Sequence, residues 1–391
     1  MERAAPSPGL LQPGQREIEL DVRTQDVEIN MGPQHPSTHG VLRVLIRADG
    51  EIVTAAQSHL GYLHRCAEKI GENVDWLQYL PYTDRYDYLA AMNNNLGYSL
   101  AVEKLLGIEV PPRGQYLRTL IVELNRIASH LIAFGTYGLD IGAFTPFFYA
   151  FRERELLLDI FEKICGARLT YSFIRPGGVF NDAPPGWLQH VEDFCRQFEK
   201  KWPEYWDLLV ENKIFIERTA NVGIIPRDLA IAWGCTGPML RGSGVDWDLR
   251  RDQPYLVYDR LEFKVITGVG YRGTVGDCFD RNYVRMLEMV ESLKMVRQCL
   301  DQMPEGEVSH PDVGLIIRPA PGEAYVGIEN PRGELGHYVV SDGSKIARRV
   351  RVRAPSFCNL SLVEHIMPGT MLADAVAIIG ATDIVIGETD R

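Results

Sequence analysis

Residues 112–133 read PRGQYLRTLIVELNRIASHLIA, and their spacing sets the class of the molecule. Leu117, Leu120, Ile121, Leu124, Ile127, Ala128 and Leu131 recur at three- and four-residue steps, the signature of one apolar helix face. Glu123, Arg126 and His130 fall on the other side. Just downstream, Gly135 to Phe144 reads as a loop. Thr145 then Pro146 read as the N-cap and first-turn proline of a second helix, ending before Gly166. Farther on, Tyr283, Met286, Leu287, Val290, Leu293, Val296 and Leu300 predict a third long helix, after an irregular Gly-rich stretch over 213–275.

Outward from this body the period changes. Val27-Glu28-Ile29 and Val41 to Ile46 read as strands, and Asp49-Gly50 marks a hairpin before Ile52-Val53. Ala324 to Ile328 and His337 to Val340 flank a turn at 330–333 and predict a second hairpin. A basic strand over 345–353 and a short apolar segment from Met371 to Ile379 follow. The predicted fold class is α+β. A flexible arm over 1–25 precedes an N-terminal β region over 26–58, a helical body over 59–310 and a C-terminal α/β region over 311–391.

A formal charge of -11, from 41 Lys and Arg against 52 Asp and Glu, argues against nucleic acid as a partner, because phosphate binding needs a positive field. No apolar run reaches the roughly 18 residues that a membrane-spanning helix needs, so the chain is expected to be soluble or peripheral. The first fifteen residues lack the apolar core of a secretory signal. The seven cysteines, at 66, 165, 195, 235, 278, 299 and 358, form no C-x-x-C pair. That spacing fits neither a disulfide framework nor a metal ribbon, and predicts a reducing compartment with no metal held by this chain.

Three clusters carry polar chemistry. Gly32-Pro-Gln-His35-Pro-Ser-Thr-His39-Gly40 sets two histidines four apart in a loop that its prolines and glycines keep from becoming a helix. Those histidines read as a metal pair, as a proton donor with its neighbour, or as structural hydrogen-bonding groups. Tyr82-Thr-Asp84-Arg85-Tyr86-Asp87-Tyr88-Leu89 is dense in phenols and charges, and reads either as a functional helix start or as a solvated ion-pair face. Gly138-Leu139-Asp140-Ile141-Gly142 places a carboxylate among apolar residues, where burial demands a cation; a histidine would serve. Gly268 to Gly273 spells G-x-G-x-x-G, but Thr274 to Asp277 prolongs the loop where a dinucleotide site needs a helix, so a plain turn is expected and no dinucleotide is expected to bind there.

The same residues carry a resemblance. GPQHPSTHG, GYLHRCAEK, YTDRYDYL, VELNRIASHL, GLDIGAFTPFFYAFRERE, IRPGGV, GDCFDR, RGELGHYVVSDG, VRAPSFCNL and IGETDR occur in order from Met31 to Arg391. Together they resemble the D subunit of the NADH-quinone oxidoreductases of the respiratory complex I type. That family is similar in fold to the large subunit of nickel-iron hydrogenases. Hydrogenases hold metal with two C-x-x-C pairs; here His64-Arg65-Cys66-Ala67-Glu68 and Asp383-Ile384-Val385-Ile386 stand in their places.

The resemblance implies a quinone head group bound between His39 and Tyr88, with Asp140 pairing His39 and holding it protonated before turnover. Electrons would come from NADH through FMN and iron-sulfur clusters in other subunits, the last a 4Fe-4S cluster in a neighbour. This chain alone would bind no cofactor. His35 belongs to the same loop, Arg65, Glu68 and Lys69 would face the cluster-bearing partner, and Arg85 with Asp87 would anchor Tyr88. Val385 and Ile386 would line the apolar part of the quinone chamber. Implied partners are the peripheral-arm and membrane-arm subunits, with proton translocation in the latter, on the cytoplasmic face of a bacterial inner membrane.

The sequence departs from the family pattern at Cys66, where Gly is usual, at Asn93-Asn94-Asn95, and over 301–323, which is shortened and lacks a His-Phe-Lys segment. The last departure bears on the neighbours and on the electron donor. A related quinone-reducing complex with another donor, such as a deazaflavin, and a non-catalytic assembly scaffold are the rival readings; absent cysteine pairs exclude hydrogenase chemistry.

Overall fold

A computed structural model describes residues 26–391; the arm expected over 1–25 lies outside the described residues. The molecule is α+β. Strands β1 (Val27–Met31), β2 (Arg43–Asp49) and β3 (Ile52–His59) form an antiparallel sheet in sequential order, with Asp49 opposite Ile52 across the expected turn. A two-residue ladder, β4 (Ile174–Arg175) with β5 (Gly178–Val179), lies within the helical body. At the C-terminal end β6 (Gly322–Asn330), β7 (Gly333–Ser341) and β8 (Arg349–Arg353) form the second three-stranded antiparallel sheet.

The helical body is built on Pro112–Asp140, packed against Phe144–Cys165 on one side and Cys278–Gln302 on another. Its apolar face is buried as the spacing predicts. The helix does not stop at Ala133, however. It continues through Gly135 and Gly138 to Asp140, so the expected loop shrinks to 141–143. A β-carbon on Gly135 would lie 3.1 Å from the Phe147 backbone, so the glycine admits the neighbouring helix instead of ending its own. Glycine costs a helix about 1 kcal/mol, less than such packing returns. The second helix begins at Phe144, capped by Ala143 rather than Thr145, and ends at Gly166 in the left-handed region.

Nor do Glu123, Arg126 and His130 face solvent; all three are buried. Glu123 meets Arg126 and Arg250, each at 3.2 Å, and accepts from Tyr258 and Ser292. Burial pushes its carboxyl up, but the two guanidiniums bring it below its ordinary value. His130 Nε2 sits 3.0 Å from Glu288, which Arg241 also holds. The Gly268 to Gly273 stretch is irregular, as expected: Gly268 donates to the Arg241 carbonyl, Gly270 to Asp280, and the next helix opens only at Cys278.

Between Asn330 and Gly333 the β6–β7 turn carries Arg332 into the interior. In β8, Val350 and Val352 point inward while Arg349 and Arg351 reach out to Glu72 and Glu68. The segment expected from Met371 to Ile379 forms a helix over Asp374–Thr382, and a last helix spans Ile386–Asp390.

Candidate functional site

The loop bearing both histidines closes on itself. Pro36–Thr38 makes one 3-10 turn, Thr38 Oγ1 donates to the carbonyls of His35 and Gly40, and His35 Nδ1 accepts from the Ser37 backbone N–H. His35 thereby helps shape the loop. His39 adopts φ 49°, a conformation uncommon for a residue with a side chain. Its Nε2 lies 2.6 Å from Asp140 Oδ2. Asp140 is the last residue of its helix, where the backbone dipole disfavours a carboxylate, and its side chain is only 4% exposed. The imidazole supplies the partner that such a carboxylate requires.

Tyr88 belongs to the turn between Trp76–Thr83 and Ala91–Leu106, not to a helix start. The solvated-face reading of this cluster fails as well, since Asp84 and Asp87 are both fully buried. Asp84 accepts from the Ser172 backbone and hydroxyl. Asp87 accepts from the backbone of Leu89 and Ala90 and, at 2.7 Å, from Arg332. Arg85 does not pair with Asp87; its guanidinium turns to the Pro81 carbonyl. Burial, then the Asp87 charge, push the half-buried Tyr88 phenol above its ordinary value.

The C-terminal segment draws these parts together. A β-carbon on Gly40 would lie 3.2 Å from Ile386, and one on Gly387 would lie 2.5 Å from the Tyr86 carbonyl oxygen and 3.3 Å from the Tyr88 ring. Ile386 therefore packs on the histidine loop while Gly387 packs on the tyrosine turn. Val385 and Ile386 are buried, and Asp140 stands against Gly380 of the preceding helix. Arg65 spans the same junction by donating to the Arg85 and Gly387 carbonyls. Glu68 accepts from the Val352 N–H and Arg351, and Lys69 pairs with Glu72, all near the β8 edge. A cavity of about 540 Å3 beside Leu106, Ile108 and 312–318 shares no residue with this junction.

Comparison with known proteins bears on what this junction serves. A family model described as the respiratory-chain NADH dehydrogenase 49 Kd subunit matches residues 140–320 and 313–391. The NADH-quinone oxidoreductase D subunit of Chlorobium chlorochromatii is 51% identical over 377 residues, covering 96% of this chain and 94% of the relative. That of Chlorobaculum tepidum is 52% identical over 96% and 94% of the two chains, and a D subunit of Solibacter usitatus, numbered 2, is 52% identical over 94% and 97%. The chain belongs to the family of NADH-quinone oxidoreductase D subunits.

Membership makes it one subunit of an oxidoreductase complex, with other subunits of that complex as partners. Among the described residues no helix is long and apolar enough to cross a membrane, and no three His, Cys, Asp or Glu side chains converge as a metal site. Beyond the residues singled out in the sequence, the structure adds Arg332, Asp383 and Glu388. Arg332 bridges Asp87 to both the carbonyl and the carboxylate of Asp383. The available signal was the density of acids in the otherwise apolar stretch 383–390, and a lone arginine in the turn at 330–333.

Proposed function

We propose that this member of the D-subunit family binds a quinone head group between His39 and Tyr88 and supplies protons as the ring is reduced. The observation that carries the reading is the convergence of the His39 loop and the Tyr88 turn on Ile386 and Gly387. A quinone has two carbonyl oxygens on opposite sides of its ring, and two-electron reduction requires a proton at each, so an imidazole and a phenol suit the task. The raised phenol of Tyr88 keeps its proton against weak acceptors and gives it up once reduction has made the quinone oxygen anionic. Asp140 would hold His39 in position through the 2.6 Å contact, and loss of that contact after proton release would start the conformational signal to the membrane arm. Val385 and Ile386, both buried, would back the apolar side of the head-group site from within the chain.

Electrons would arrive from NADH through FMN and a terminal 4Fe-4S cluster in a neighbouring subunit, beside Arg65, Glu68 and Lys69, and proton translocation would occur in the membrane arm. The complex would sit on the cytoplasmic face of a bacterial inner membrane, with this chain peripheral. The test is quinone reductase activity of the assembled complex carrying Tyr88→Phe or His39→Ala, with cluster reduction followed spectroscopically. Collapse of quinone turnover with the cluster still reduced supports the reading. Near-normal turnover in both assembled variants would favour a scaffold.

A further inference from the structure

Among the described residues nine arginines are buried, and eight of them have a carboxylate or a backbone carbonyl in contact. Arg154 is the exception. It is 7% exposed, yet it forms no salt bridge and donates no hydrogen bond among the described residues, and its Nε is closed off from solvent without an acceptor. The acids beside it in sequence are taken, Glu153 by Arg152 and the Tyr205 hydroxyl, Glu155 by Arg168. The Tyr171 phenol lies near enough to act on it, but burial pushes that phenol up, so it keeps its proton and brings no charge. Its Cζ stands 5.9 Å from the centre of the Phe151 ring, a weak contact. Burial pulls the guanidinium below its ordinary value, but an arginine remains charged all the same. A buried charge without a counter-ion is strongly unfavourable, so the chain by itself leaves this interaction incomplete.

We propose that Arg154 docks a carboxylate, the side chain of an Asp or Glu in another subunit of the complex. Membership of a multisubunit complex supplies such neighbours. The Nη edge is the side open to them, since only Nε is sealed. A planar guanidinium presents two parallel donors to a carboxylate, a fit that an inorganic phosphate shares and a neutral side chain does not. The surroundings match the anatomy of an interface. Phe147, Phe151 and Arg154 follow one another at four- and three-residue steps on the Phe144–Cys165 helix, so they share a face, and the two rings stand 4.5 Å apart. Beside them Phe144 and Phe148 are 63% and 64% exposed. Arginine and aromatic side chains are enriched where binding energy concentrates in interfaces. Folding has already stripped most of the water from Arg154, so an incoming carboxylate meets a positioned, poorly hydrated cation and gains more than it would from a solvated one. The proposal does not depend on the quinone chemistry, because it concerns assembly and not turnover.

The experiment compares the full chain alone and the assembled complex, each as wild type, Arg154→Met and Arg154→Lys. Methionine keeps the stem and removes the charge. Alone, the Arg154→Met chain should melt no lower than wild type, because no acceptor is left without its donor. In the complex, native gels across a dilution series should show it released with an apparent dissociation constant on the order of 30-fold higher, while Arg154→Lys recovers part of the loss. A carbodiimide, which joins an amine to a carboxylate without a spacer, should couple the lysine of Arg154→Lys to an Asp or Glu of another subunit, located by peptide mass spectrometry. A melt of Arg154→Met alone that falls below wild type would put the acceptor inside this chain and overturn the proposal. So would unchanged retention in the complex, or coupling of that lysine only within this chain. If inorganic phosphate raised the melt of the isolated wild type but not of Arg154→Met, with retention in the complex unchanged, the site would take a small anion only, and the proposal would fall.

Discussion

His39 Nε2 and Asp140 Oδ2 lie 2.6 Å apart although 101 residues separate them along the chain. The contact ties the N-terminal loop to the end of the longest helix, and so links the proposed site of proton release to the helical body. Replacing Asp140 by Asn removes the charge from this hydrogen bond while keeping its shape. Quinone turnover of the assembled complex should fall roughly 10- to 100-fold, the equivalent of about 1.5–3 kcal/mol for a charge-assisted bond. Steady-state assays with the complex quantified by native gel check this.

Gly387→Ala should disturb Tyr88 without touching an acid. The new methyl would meet the Tyr86 carbonyl oxygen at 2.5 Å and the Tyr88 ring at 3.3 Å, so the terminal helix or the turn must shift. Misplacement of about 1 Å can cost on the order of 100-fold in rate. A fall in kcat with the complex still assembled is the expected result, read from the same assay.

Arg332→Met should act on stability. It leaves Asp87 buried with no cation and takes one from Asp383. Breaking a buried pair typically costs about 3–5 kcal/mol, so the variant should fail to accumulate in the complex. Arg332→Met combined with Asp87→Leu should recover part of that loss, as quantified by immunoblot of membranes.

Glu388 gives folding a pH dependence of definite sign. An unfolded glutamate loses its proton near 4.5, whereas the folded one, with burial and the Asp87 charge pushing it up, keeps its proton to about 8. Across that window the folded state holds the extra proton, so stability falls as pH rises, with a slope approaching about 1.4 kcal/mol per unit. Glu388→Gln should flatten this slope and gain on wild type toward pH 8. Thermal melts of the complex across the window measure it.

The purified chain should hold no stoichiometric iron, because its cysteines neither pair in sequence nor converge with other ligands among the described residues. Elemental analysis of the isolated protein is the check.

Much of the fold was legible in the sequence because apolar spacing reports which face of an element is buried, and the α+β class and the two hairpins depend on that local signal alone. The ordered motifs from Met31 to Arg391 pointed to the family for the same reason, since they are strings of neighbouring residues. The end of the long helix was misread because Gly135 is a weak local breaker, and packing against Phe147 outweighs it. The burial of the charged side of that helix was not legible, because period alone cannot see that Arg250 and Glu288, far along the chain, cover it. The same limit applied to the candidate site. The sequence by itself determined which residue types stand in the histidine loop, the tyrosine turn and the terminal IGETDR segment. Only the tertiary structure decided that Asp140 meets His39, that Asp87 takes Arg332 rather than Arg85, and that Glu388 is left without a cation. Pairing of buried charges depends on where distant segments cross, and that is settled by packing of the whole chain rather than by any local pattern.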